Sequence, residues 1–194
     1  MGSIKIAGKN IVTQSGSDEP TIASNVVFPT GHIIQIVQVT KTATETFSNQ
    51  NWTTAITSLN PSFVTKKANS KVLVETTQAW GSASGGAEGV GVRLYRNDGT
   101  GYAEVTATRD GTLSWSCWFN VAGYSGDDYA PTCVTASYLD SPNVAAGTTL
   151  TYAFHPRPYS SGYPVYLTRG KAYDSDTNGR WKPLTSATIK EIAA

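Results

Sequence analysis

The chain is poor in charge. Asp, Glu, Lys and Arg make up 15% of its 194 residues, well under the roughly 25% of an average soluble domain. The balance of 15 Lys and Arg against 14 Asp and Glu leaves a formal charge of +1. Such a balance lacks the basic footprint that neutralises nucleic-acid phosphates, and the basic residues are scattered, Lys66–Lys67 being the densest pair. Long apolar runs are missing too, none approaching the ~18 residues of a transmembrane helix. The opening MGSIKIAGKN has neither the charged-then-apolar pattern nor the cleavage site of a secretory signal. Ile6 stands where a myristoylation signal carries Ser or Thr. The expectation is a protein that crosses no membrane by its own signal.

Residues that do chemistry are also scarce. The two cysteines, Cys117 and Cys133, are too few for a disulfide scaffold or a zinc site. They fall in two predicted strands and stay open between a bridge and two small buried thiols. The two histidines, His32 and His155, have no histidine or cysteine at ligand spacing, and each reads as an ordinary hydrogen-bonding residue. No G-x-S-x-G nucleophile elbow occurs. Asp127-Asp128 could join another acid for glycoside hydrolysis, which needs two carboxylates facing a sugar, but SGDDYAP reads better as a solvated loop. No enzyme activity is expected, and no cofactor.

One cation signal stands out. DSDTNG at 174–179 matches the first half of a calcium loop, with oxygens from Asp174, Asp176 and Asn178 and a turn at Gly179. The second half fails, since Pro183 interrupts and Thr185 stands where the closing Glu belongs. Asp, Ser, Asn and Gly are equally the residues of any exposed turn.

What the chain has is β-forming residues: Thr, Ser, Tyr and Gly abound, and β-branched and aromatic side chains suit a pleated surface. Helical periodicity is almost absent. Two-residue alternation recurs instead. In GVGVRLYRN, Val90, Val92 and Leu94 oppose Arg93 and Tyr95, and Asp98-Gly99 offers a hairpin turn. In TLSWSCWFNV, Leu113, Trp115, Cys117 and Phe119 alternate with Ser114, Ser116, Trp118 and Asn120, predicting a core face and a wetter one. Adding KVLVETTQAW, TCVTASYLD, TLTYAFH, PVYLTRG and ATIKEIAA gives about eight or nine strands, a count that predicts an all-β sandwich or barrel.

Residues 1–27 differ. Ile4, Ile6, Ile11, Val12 and Ile22 are short apolar punctuation around SGSDEP, without the periodicity to bury a face. This reads as an extended anchoring arm that is ordered against a partner. The β-domain then spans 28–194, opening with FPTGHIIQIVQVTK. There Ile34 and Ile36 share one face of a strand, and Ile33, Val37 and Val39 the other. Apolar residues on both faces predict burial on both sides, so Ile33, Val37 and Val39 are candidates for a trimer or anchor interface, with Gln35 and Gln38 near the edges.

The order of FPTGHIIQIVQVTK, NSKVLVET, GVRLYRNDGTG, SYLDSP, TYAF, VYLTRG and SATIKEIAA over residues 28–194 resembles a domain common in tail-fibre and other virion proteins of aquatic and marine bacteriophages. These motifs mark strands and turns, not a reaction. The resemblance implies a jelly-roll β-sandwich of the C1q and tumour-necrosis-factor kind, usually trimeric and carried on a phage fibre or appendage. It implies that ATIKEIAA is the last strand and that the arm attaches the protein to the particle. No repeat or coiled-coil shaft is present, which points to a short fibre, a neck or head appendage, or an adaptor tip.

The resulting expectation is a non-enzymatic virion protein, made in the bacterial host cytoplasm. It would be a homotrimer joined to other virion proteins through its arm. Its late aromatics (Tyr124, Tyr129, Tyr159, Tyr163, Tyr166, Tyr173 and Trp181) suit sugar stacking or protein contact, although packing within the assembly would use them equally. The candidate contacts to a host-surface glycan or protein are Tyr124, Asp127, Asp128, Tyr129, Tyr159 and Tyr163. The alternatives are a head or neck decoration protein that binds no receptor and, from another class, a carbohydrate-binding module or depolymerase fragment.

Overall fold

The computed structural model describes residues 2–16, 21–22, 28–82, 89–108, 113–121, 131–170 and 182–194. Among them the chain is all-β: three antiparallel sheets, with one 3-10 turn at Thr106–Thr108 as the helical element. Two of the sheets pack as a sandwich, in keeping with a jelly-roll-like fold. The six-stranded sheet holds β4 (Ile33–Lys41), β5 (Glu45–Phe47), β7 (Lys71–Ser82), β11 (Thr132–Asp140), β13 (Val165–Leu167) and β14 (Thr185–Ile192). The five-stranded sheet holds β6 (Ser62–Val64), β8 (Val90–Asn97), β9 (Tyr102–Glu104), β10 (Phe119–Val121) and β12 (Thr149–Pro158). The third is a small meander of β1 (Gly2–Ile6), β2 (Lys9–Gln14) and β3 (Thr21–Ile22).

Alternation explains the layers. Side chains of a strand point to opposite faces in turn, so Val90, Val92 and Leu94 of β8 and Leu150, Tyr152 and Phe154 of β12 share the inner face, all nearly or fully buried. Facing them are Val72, Val74 and Trp80 of β7 and Ala187 and Ile189 of β14. Each buried Val, Leu, Ile or Phe contributes about 1.5–3 kcal/mol, so this inter-sheet layer is the main source of stability. β7 organises its sheet: residues 71–77 pair with β14, 80–82 with β13, and 72–80 with β11 along the other edge.

The opening strand keeps one buried face. Val37 pairs with Ile189 and Val39 with Ala187, and both valines pack against the chain's own core, whereas Ile36 points outward, 57% exposed. Register shifts between Glu191 and Ile192, leaving Ile34 as an extra residue in β4. The bulge takes Ile33 out of phase with Val37 and leaves it 44% exposed. The outward apolar residues here are thus Ile33 and Ile36, in place of the expected set of Ile33, Val37 and Val39.

Residues 2–14 form a hairpin, where the sequence read as a simple extended arm. Ala7 and Gly8 both have positive φ, the requirement of a two-residue turn whose twist matches the strands, and Ile6 pairs with Lys9 across it. Ile4 and Ile6 remain well exposed.

TLSWSCWFNV also departs from its alternation. Among its described residues only Phe119–Val121 is strand, and Leu113 and Trp115 are exposed instead of lying on a core face. Ser116 is the cause: its amide and hydroxyl both donate to the Leu113 carbonyl, at 3.0 and 2.7 Å. A local serine turn thereby replaces the strand.

Candidate functional site

β8 and β12 turn their second faces away from the core, and register decides what gathers there. Asn120 pairs with Gly91 and Gly91 with Arg157, making a row across β10, β8 and β12; Arg93 and His155 form the next row. Two irregular segments lie over this surface: residues 113–118, tied down by the Trp118 amide on the Val92 carbonyl at 2.9 Å, and the segment around Trp52. Gly91 is what lets them in. A Cβ on Gly91 would sit 3.0 Å from the Trp52 ring and 3.3 Å from Cys117 Cβ and Sγ, so a side chain there would lift both.

One oxygen joins the two segments to each other and to both strands. The Ser114 carbonyl accepts from Arg157 Nη1 at 2.9 Å, Arg93 Nη2 at 3.0 Å and Trp52 Nε1 at 3.2 Å. Arg93 Nε also donates to the Ser116 carbonyl at 2.9 Å. Two of the three donors at Ser114 are charged, and charge-assisted bonds are roughly twice as strong as neutral ones. Their planes are fixed by stacking: the Arg93 guanidinium lies 4.1 Å from the Trp52 centroid and that of Arg157 3.6 Å from Trp115. Trp115 in turn leans on Tyr159 at 5.4 Å.

The result is a cleft of about 270 Å³ lined by Trp52, Gly91, Trp115, Asn120, Arg157 and Tyr159, with Cys117 and Val121 among its deeper residues. Trp115 is 47% and Tyr159 60% exposed, so both offer ring faces to solvent. The two arginines are not equivalent. Arg93 is paired with Glu104 at 3.3 Å, whereas Arg157 has no acidic partner among the described residues. Burial, and secondly the neighbouring Arg93, pull the Arg157 pKa below its usual value. Burial pushes the Cys117 thiol up, so it stays a protonated small hydrophobe.

His155 lies under the cleft. Its Nδ1 is 2.7 Å from the Trp52 carbonyl, which can only accept, so Nδ1 carries the proton. Nε2 is buried without a partner, and the ring stacks on Tyr95 at 3.9 Å. Burial holds its pKa below 6.5, against the opposing pulls of the Trp52 hydrogen bond and Glu104. His155 is therefore a neutral wedge between strand and segment. The described cleft lining offers hydrogen-bond donors and stacking faces and contains no carboxylate, an arrangement suited to recognition.

Of the sequence candidates, Tyr159 lies in the cleft, while Tyr163 is exposed in the following turn and outside the lining. Tyr166 stacks under Arg169 at 4.1 Å on the other sheet. Tyr124, Asp127, Asp128 and Tyr129, and the calcium candidates Asp174, Asp176 and Asn178, lie outside the described residues. Among the described residues no three His, Cys, Asp or Glu side chains gather as a metal site. Cys117 and Cys133 are both free, the first beside the cleft and the second exposed on β11. Trp52 and Arg157 were not visible as site residues. The signals were an isolated tryptophan in the polar SNQNWTTA and an arginine between prolines in HPRPY.

Fold and site together define an antiparallel β-sandwich with an aromatic–arginine cleft on the outer face of one sheet. The chain matches no family model and no curated protein.

Proposed function

We propose that the chain is a non-enzymatic bacteriophage virion protein, a short tail fibre or similar appendage, that binds a host-surface glycan through its sandwich. The observation that carries the recognition reading is the cleft: two half-exposed aromatic faces beside a guanidinium with no acidic partner among the described residues. The virion setting rests on the order of motifs over residues 28–194 that resembles phage fibre domains. The N-terminal hairpin, with Ile4 and Ile6 exposed, is the segment proposed to attach to other virion proteins.

A homotrimer is part of the same reading. Register sets Ile36, Lys190, Leu73 and Leu139 in one row across β4, β14, β7 and β11, with Ile36 and Leu139 57% and 45% exposed. A second and third copy would cover this row, and three rigidly linked clefts would gain avidity over one.

Light scattering after size exclusion tests the assembly: three times the chain mass of 20.6 kDa is expected, and a stable monomer refutes the trimer. An immobilised glycan panel tests recognition, and gold-labelled antibody on intact particles tests the setting. Label on the head or neck, with no glycan bound, would replace this reading by that of a decoration protein.

A further inference from the structure

We propose that the cleft is a subsite for one acidic sugar residue, its carboxylate held by Arg157 and its ring laid on Trp115 and Tyr159. The inference rests on the glycan reading above and narrows it to an anionic glycan.

Charge is the first argument. Among the described residues of the cleft lining, Arg157 is the one ionisable side chain other than Cys117 and Tyr159. Arg93 beside it is already compensated by Glu104, so among the described residues the uncompensated charge facing the cleft is that of Arg157. Donor count is the second. A guanidinium has five N–H groups in a planar fork. Arg157 uses one Nη1 donor on the Ser114 carbonyl, and its Nε is shut off from solvent, so the Nη groups are the ones that can meet a ligand. The remaining N–H groups of Nη1 and Nη2 form a planar fork that matches a carboxylate bidentately. Stacking on Trp115 at 3.6 Å fixes that fork before any ligand arrives, which lowers the ordering cost of binding.

Shape supplies the class of ligand. Trp115 and Tyr159 are half-exposed, Trp115 with one face under Arg157, and the negative quadrupole of their exposed surface attracts polarised C–H groups such as those on one side of a pyranose ring. The Asn120 amide, exposed at the lining, is a donor and acceptor for hydroxyls. The volume of about 270 Å³ is just under the roughly 300–1,000 Å³ of drug-sized sites. It fits a single ring of a longer chain.

The test is a matched pair of probes, trigalacturonic acid and its trimethyl ester, titrated calorimetrically into the full chain. The acid is expected to bind at least about tenfold more tightly than the ester, and the difference should shrink in high salt. Arg157→Gln is expected to remove the preference while weak ester binding persists. Arg157→Lys, which keeps the charge without the fork, should fall between, and covers the case in which Arg157→Gln does not fold. Tyr159→Ala should weaken both probes.

Equal binding of acid and ester would overturn the acidic subsite and leave the glycan reading standing. Failure of both probes, together with a silent neutral and acidic glycan panel, would overturn both. A preference that survives in Arg157→Gln would place the anion elsewhere. An acetylated Gly-Glu-Gly peptide that bound as tightly as the sugar acid would overturn the saccharide class.

Discussion

Replacing Glu191 with alanine probes how the open edge of the sandwich is closed. Glu191 sits on the last strand of the six-stranded sheet, and its side chain is fully buried. Its carboxylate accepts from the Lys66 amide at 2.9 and 3.1 Å, from the Lys67 amide at 3.1 Å and from Gln35 Nε2. Residues 66–67 follow directly from β6 of the opposite sheet, so one carboxylate latches the two sheets together. In Glu191→Ala, Gln35 keeps the Val64 carbonyl at 2.8 Å, but two backbone N–H groups lose their acceptor. At about 1–3 kcal/mol for each unsatisfied donor, the loss is roughly 2–6 kcal/mol. That is a large part of the ~5–15 kcal/mol by which domains are stable. At about 2–4 °C per kcal/mol for a chain of this size, Tm should fall by on the order of 5–20 °C. Glu191→Gln keeps one acceptor oxygen and should cost about half as much. Differential scanning calorimetry reads the shift, and amide exchange at Lys66 and Lys67 should accelerate with it. A Glu191→Ala protein whose Tm lies within about 1 °C of the parent, with unchanged exchange at both amides, would refute the latch.

Three further outcomes follow from the same geometry. Gly91→Ala should destabilise by about 1–3 kcal/mol as its Cβ displaces Trp52 and Cys117, and ligand titration should show weakened binding in the cleft. A neutral effect on both would mean that the Trp52 segment yields freely. His155 is neutral in the fold with its pKa held below 6.5. Protons therefore bind the unfolded chain first, and this contribution to stability, full above about pH 6.5, declines as pH falls through that value, by at most about 1.4 kcal/mol per unit. Urea unfolding from pH 7.5 to 5 should show a shallower loss for His155→Gln, and identical slopes would remove the assignment. Ile36→Lys, on the outward row, should convert the proposed trimer to monomer in light scattering with little change in the monomer's secondary structure. An intact trimer would exclude that row from the contact.

Most strands were legible because burial on one face writes itself into alternation. Val90, Val92 and Leu94, and Leu150, Tyr152 and Phe154, lie on the inner face that their spacing predicts. The site was far less legible. Leu113, Trp115 and Cys117 alternate as cleanly as any strand, yet Ser116 bonds back to the Leu113 carbonyl, and a local turn takes the place of a ladder. Trp52 lies roughly forty residues from Gly91 and carries no local pattern at all. It enters the site because Gly91 has no side chain and because the Ser114 carbonyl gathers its indole with two guanidiniums. In the opening strand the valines kept their phase, but a single extra residue at Ile34 sent Ile33 outward.

The sequence by itself determined that the chain is all-β, where most of its strands lie and which side chains of each face inward, because those properties follow from neighbours two residues apart. Only the tertiary structure decided which strands meet and in what register. It alone set Asn120, Gly91 and Arg157 side by side, left Arg157 without a carboxylate among the described residues while Arg93 has Glu104, and buried Glu191 against residues 66–67. These are contacts between residues 11 to 125 positions apart. Their energies depend on the summed fit of two sheets, a quantity that no local stretch of sequence encodes.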